Sequence, residues 1–172
     1  MDAYAELVSR HQRAVYGIVS RMVQRRDDVD DLVQDIFVLA YRSIGSFRGD
    51  SSFSTWLGAI AVNTTLKHLK RSKSRQAVSI DDPEIALGEV LAVGEPGPED
   101  VAEARARNAA VRKAIDGLPD KQRVVVALHY FEDYTCEEIA KMLSCSVGTV
   151  WSRLHYACKK LRGQLDWLGS GG

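Results

Sequence analysis

No stretch of this 172-residue chain holds the ~18–20 consecutive apolar residues that a bilayer-spanning helix needs. The first residues also lack the apolar core of a secretory signal. Both absences lead to the expectation of a cytoplasmic protein without membrane insertion. Cysteine is scarce: Cys136, Cys145 and Cys158 are an odd set that excludes a fully paired disulfide framework. His155 and Cys158 stand three apart, but with Cys136 or Cys145 they match no zinc-module spacing. No metal and no cofactor is therefore expected. There is no Gly-rich phosphate loop, no pair of catalytic carboxylates and no nucleophile motif, so the chain is expected not to be an enzyme.

Net charge is missing too, since 23 Lys and Arg balance 23 Asp and Glu. The zero hides a partition. Met1 to Arg75 carries twelve basic residues against eight acids, Gln76 to Ala104 eight acids and no base, and Arg105 to Gly172 eleven bases against seven acids. Two basic lobes flank an acidic strap. Three of the four prolines (Pro83, Pro96, Pro98) fall in that strap, with Gly88, Gly94 and Gly97. It reads as a flexible solvated tether, although Ile85, Leu87, Val90, Leu91 and Val93 leave room for a short helix. The expected division is residues 1–75, a linker over 76–104, and residues 105–172.

What is present is helical periodicity. From Leu118 to Arg162 the pattern is a helix, a short helix, a turn and a longer basic helix. Thr135 with Glu138 is a capping box, so a helix starts there, and Ile139, Ala140, Met142 and Leu143 give it a buried side. Ser144-Cys145-Ser146 ends it, with Ser146 placed to cap the next helix. Val147, Val150, Trp151, Leu154, Ala157, Cys158 and Leu161 then recur at helical spacing. Between Glu138 and Asp166 no acid occurs, while Lys141, Arg153, Lys159, Lys160 and Arg162 are basic. This is the outline of a helix-turn-helix, the second helix suited to a polyanion. An ordinary helical hairpin with a solvated basic end has the same outline.

The first lobe reads as helical throughout. Tyr4, Leu7, Val8, His11, Val15, Ile18, Val19 and Met22 keep to one face of a first helix. Asp27 to Asp31 is expected to cap a second, whose apolar stripe is Val29, Leu32, Val33, Ile36, Phe37, Ala40, Tyr41 and Ile44. Its other face shows Asp31, Gln34, Asp35 and Arg42. After the connector Ser46 to Ser52, a third helix is predicted from about Phe53 to Lys70 through Trp56, Leu57, Ile60 and Ala61. Asn63, Thr64, Thr65, Lys67, His68, Lys70, Arg71, Lys73 and Arg75 follow. Cations next to amide and hydroxyl groups suit gripping phosphates while touching bases; a solvated helix end satisfying its dipole would look alike.

Two segments taken together carry a resemblance to a known family: DDVDDLVQDIFVLAYRSIGSFRGDSSFSTWLGAIAVNTTLKHLKR and LPDKQRVVVALHYFEDYTCEEIAKMLSCSVGTVWSRLHYACKKLR. In this order, around a weakly patterned linker, they resemble a bacterial sigma factor of the extracytoplasmic-function (ECF) group. The likeness covers nearly the whole chain. It implies an all-α fold of two small domains, a promoter-melting helical bundle and a helix-turn-helix, joined by an acidic linker. The implied function is transcription initiation: binding core RNA polymerase and directing it to specific promoters, as a monomer when free.

The resemblance also distributes roles. Asp31, Leu32, Gln34, Asp35 and Phe37 would dock on core polymerase. The segment from Phe47 to Leu57 and the helix that follows would recognise and melt the minus-ten element as duplex and single strand, with Trp56, Asn63, Thr64, Lys67, His68 and Arg71 at the DNA. Phe53 fits a buried stripe, and Trp56 fits either that stripe or a wedge between bases. The minus-thirty-five element would meet Thr135, Ser146, Thr149, Trp151, Ser152, Arg153, His155, Tyr156 and Lys159. An anti-sigma factor is implied as regulator. Three positions depart from the family: Trp151 and Tyr156, where Lys or Arg is frequent, and Gly58, where a large residue is common. Other readings of the residues alone are a self-sufficient helix-turn-helix regulator, for which the DDLVQD face has no use, and an adaptor for an acidic protein.

Overall fold

A computed structural model describes residues 2–76 and 98–169. Seven α-helices follow one another there: α1 (Asp2–Met22), α2 (Arg26–Ser43), α3 (Phe53–Gln76), α4 (Pro98–Asp116), α5 (Asp120–Val126), α6 (Cys136–Leu143) and α7 (Val147–Gly169). No strand occurs among the described residues. Helix α4 begins inside the stretch expected to be linker, so residues 98–104 are helical, and the possible short helix around Leu87 lies outside the described residues.

Local chemistry accounts for most helix ends. Helix α2 opens one residue before the acidic run, and Arg25 at its N-cap makes no side-chain cap. Asp27 and Asp28 therefore do not cap it as expected. They lie in its first turn, where carboxylates offset the helix dipole. A turn of 3-10 helix, Ile44–Ser46, ends it, and Gly49 at φ 77° takes the left-handed conformation in the connector. Ser52 then caps α3, its Oγ accepting from the Thr55 N–H at 3.1 Å. Helix α3 runs past the expected Lys70 to Gln76, with Lys73 and Arg75 in its last turn. Lys73 is anchored on Asp120 at 2.6 Å, which helps explain why the end does not fray.

The first lobe packs α1, α2 and α3 around Val15, Ile18, Val19, Met22, Val29, Leu32, Ile36, Leu57, Ala61 and Val62. In the second lobe, α5 widens into a π turn over Ala127–Phe131, and Val124, Val125, Leu128, Ile139, Met142, Val150, Leu154 and Ala157 are buried. Arg123 is also buried. It donates to the Asp116 carbonyl at 3.0 Å and pairs with Asp120, which fixes the α4–α5 corner.

The two lobes touch. Helix α3 lies against α6, and α1 against α5 and the π turn, so the buried residues form one cluster that crosses the boundary. Gly58 makes the approach possible: a Cβ there would sit 2.8 Å from the Met142 methyl and 3.4 Å from the Tyr134 hydroxyl. Tyr134 donates to the Ser54 carbonyl at 3.3 Å, and the Ser54 hydroxyl lies 2.8 Å from the phenol oxygen. Burial pushes the Tyr134 phenol above its ordinary pKa, which keeps the proton it needs for this bond. Arg21 spans the boundary to Glu132 at 2.9 Å and stacks over the Phe131 ring at 4.3 Å.

Candidate nucleic-acid interface

The helix-turn-helix is built by three local devices. The Thr135 hydroxyl accepts from the Glu138 N–H at 3.2 Å, and the Glu138 carboxylate accepts from the Thr135 N–H at 2.8 Å, closing the capping box. Ser144 ends α6 in the left-handed conformation, φ 51° and ψ 47°, and the Cys145 N–H returns to the Ala140 carbonyl at 3.0 Å. Ser146 then opens α7, accepting from the Thr149 N–H at 3.1 Å with its hydroxyl 2.9 Å from that of Thr149. These bonds set the angle between the two helices and so the direction in which α7 faces.

Val150, Leu154 and Ala157 hold α7 to the core. The opposite stripe, Gly148, Trp151, Ser152, His155, Tyr156 and Lys159, is exposed. His155 and Tyr156 meet edge-on, ring centroids 5.6 Å apart. Thr149 and Arg153 flank the stripe half-buried, and Ser146 is exposed at its start. Thr135 lies on the outer surface one helix earlier, its hydroxyl engaged in the cap.

On α3, Asn63, Lys67 and Arg71 are exposed at successive four-residue steps, and Thr64 and His68 are half-buried beside them. His68 Nε2 lies 3.6 Å from the Asp28 carboxylate of α2 and 3.4 Å from Ser72, so its imidazole is oriented by the protein. Trp56 stands at the other end of α3. It is half-buried in an aromatic cluster with Phe47 and Phe53, at centroid distances of 5.3 and 5.4 Å, and His11 closes the cluster against Phe53 at 5.1 Å. Sequence reasoning passed over Phe47 and His11 as members of this cluster. The available signal was an aromatic inside a Gly- and Ser-rich connector, which has no reason to be there unless it packs.

On α2, Asp31, Gln34 and Asp35 are exposed and Phe37 half-buried. Leu32 is only 5% exposed and supports that face from beneath. Between α1 and α2 runs a groove of about 790 Å³, lined among others by Tyr4, Val8, Asp31, Gln34, Phe37 and Tyr41. Tyr4 donates to the Phe37 carbonyl across it.

Residues 7–75, which comprise most of α1, all of α2 and nearly all of α3, match the family model of sigma-70 region 2. Residues 108–161 match that of sigma-70 region 4. The RNA polymerase sigma-H factor of Pseudomonas aeruginosa is 35% identical over 158 residues, 90% of this chain and 82% of that protein. The ECF RNA polymerase sigma-E factor of Escherichia coli K12 is 38% identical over 159 residues, again 90% and 82%. This chain belongs to the ECF sigma factors. It is thus a transcription initiation factor that directs RNA polymerase to promoters.

Two solved structures are similar to this sigma factor as a whole. One is RpoE in complex with the anti-sigma factor NepR from Bartonella quintana, with a TM-score of 0.78 over 96% of this chain and 98% of that one, at 21% identity; it supports the fold. The other is CnrH in complex with the cytosolic domain of CnrY, with a TM-score of 0.68 over 96% and 88% at 27% identity. Most of α3 and α7 of this sigma factor lies within the matched regions. Among its described residues no cluster of His, Cys, Asp or Glu has the make-up of a metal site. No described helix is long and apolar enough to cross a membrane.

Proposed function

We propose that this sigma factor docks on core polymerase through the outer face of α2, recognises and melts the minus-ten element with α3, and reads the minus-thirty-five element with α7. One observation carries the reading: each lobe turns a polar, cation-bearing helix face to solvent, Asn63, Lys67 and Arg71 on α3 and the Trp151 to Lys159 stripe on α7. Asp31, Gln34, Asp35 and Phe37 form the docking face, with Leu32 acting through their placement. Trp56 supports the melting segment from within its aromatic cluster. Thr64 and His68 complete the minus-ten surface. Thr135, Ser146, Thr149 and Arg153 flank the minus-thirty-five stripe and meet backbone phosphates.

The two elements lie about 25 base pairs apart, or roughly 85 Å of duplex. A compact chain of this length has a radius of gyration of ~16 Å. The packed lobes therefore represent the form off the promoter, and they separate when both elements are engaged. The lobes divide near residues 75 and 105, with the acidic segment between. RpoE was solved with the anti-sigma factor NepR and CnrH with the cytosolic domain of CnrY, and an anti-sigma factor is the regulator proposed here. The factor is monomeric when free, acts in the cytoplasm, and leaves all chemistry to the polymerase.

Replacing Lys67 or Arg71 with alanine weakens holoenzyme binding to all its promoters alike. Each substitution lowers the steepness of log affinity against log salt by about 0.7–0.9, the share of one phosphate contact on single or double strands. Affinities measured across a salt series test this. Unchanged slopes in both variants would remove α3 from the DNA.

A further inference from the structure

Trp151 is the fifth residue of α7 and is 62% exposed. Among the described residues its indole has no ring or hydrogen-bond partner. An indole, with an apolar face and one N–H donor, is a side chain enriched where a surface is covered by a partner. The composition of the helix indicates what covers it. No acid occurs between Glu138 and Asp166, and Lys159, Lys160 and Arg162 stand two to three turns further along. Recognition helices present their first turns to base edges in the major groove. Trp151 thus sits at the depth of the bases, and Lys159 and Arg162 sit where the backbone passes, while Lys160 turns back to the Gly117 carbonyl at 3.3 Å.

Base chemistry then narrows the partner. Guanine, adenine and cytosine show only donors and acceptors in the major groove, whereas thymine adds a methyl group. An indole offers one N–H donor and a broad apolar face. It has no bidentate fork for guanine, and it matches thymine best. Tyr156, 58% exposed, widens the apolar surface one and a half turns further along.

We propose that Trp151 is a specificity-determining residue that reads thymine methyl groups in the minus-thirty-five element. The proposal rests on α7 being the helix that enters that element. It predicts an element in which thymines occupy the one or two base pairs opposite Trp151, with specificity there carried by apolar contact.

The test uses holoenzyme and promoter duplexes chosen from transcript starts that depend on this protein. Each thymine of the upstream element is replaced in turn by deoxyuridine, which removes only the methyl. Binding weakens about four-fold at one or two positions, the worth of one buried methyl. Trp151→Ala binds the thymine and uracil duplexes alike at those positions, and Trp151→Arg shifts the preferred base there to guanine. Trp151 is exposed, so helical content and Tm of both variants stay at the wild-type values. Indifference to every methyl, while scrambling the element still abolishes binding, would overturn the proposal and leave the α7 reading standing. A methyl effect that persists in Trp151→Ala would assign it to another residue and also overturn it. Indifference to scrambling would remove α7 from the element, and this inference would fall with it.

Discussion

Replacing Gly58 with leucine drives the two lobes of the free protein apart. The space a side chain would need is filled by the Met142 thioether and the Tyr134 hydroxyl, and the buried cluster on both sides is continuous. Overpacking such a contact costs about 1–3 kcal/mol, or roughly 3–10 °C in Tm for a chain of this size. The radius of gyration in X-ray scattering rises by several ångströms above the compact value of ~16 Å. Gly58→Ala is the control. Its Cβ meets the flexible Met142 thioether at 2.8 and 3.2 Å and the Tyr134 hydroxyl at 3.4 Å. The small shift this asks of Met142 is offset by the about 1 kcal/mol by which alanine favours a helix over glycine, so Tm stays near the wild-type value. Because the lobes are proposed to separate on the promoter, Gly58→Leu is expected still to support promoter-directed transcription. Unchanged scattering and Tm for the leucine variant would show that α6 does not rest on Gly58.

The second large effect is an asymmetry between Arg21 and Glu132. Their side chains are 30% and 13% exposed. Burial pushes the Glu132 carboxyl above its ordinary pKa even though Arg21 pulls it down. Removing Arg21 leaves a carboxylate in the lobe boundary with only the weaker pull of Arg13 to offset that burial and also empties the stack on Phe131. Arg21→Ala therefore costs about 1–3 kcal/mol near neutral pH, less than the 3–5 kcal/mol of a fully buried pair because the guanidinium is partly solvated. Glu132→Gln keeps an acceptor for Arg21, the more solvated partner of the two, so it costs less.

The pH dependence follows from the raised pKa. The folded form holds the Glu132 proton more tightly than the unfolded form. The contribution of this group is complete below the unfolded carboxylate value and is lost as pH rises through the folded one. Tm measured between about pH 4 and 8 therefore carries a declining component in the wild type that is absent in Glu132→Gln. Equal losses for the two substitutions would contradict the account.

What the sequence made legible was whatever is settled within a few residues. Thr135 and Glu138 are three apart and cap each other, and Ser146 caps α7 through Thr149. The stripes of α1 and α7 are periodic because each helix has one buried side, although Trp151, in step with the α7 stripe by spacing, is 62% exposed. Acids at a helix start were harder to read, since the same carboxylates serve as caps or as first-turn charges, and in α2 they are the latter.

The lobe boundary was illegible for a different reason. Ser54 and Tyr134 are 80 residues apart, and Arg21 and Glu132 are 111 apart. Neither a polar side chain nor a glycine carries a period that points to its partner. Gly58 read only as a missing large residue until α6 was seen in the space it leaves. Trp56 kept two readings because an aromatic at helical spacing is compatible with core and wedge alike. It is in fact half-buried, its ring tilted against those of Phe47 and Phe53.

The measurement that bears most directly on the central claim is in vitro transcription of a genomic promoter library by purified core polymerase, with and without this protein, read by sequencing transcript starts. Starts that need the protein and share two upstream motifs, one near minus ten and one near minus thirty-five, are the predicted result. Starts that need the protein but share only the downstream motif would contradict the role assigned to α7. No protein-dependent start on any template, together with no binding to core polymerase, would contradict the assignment of α2 and α3 as well.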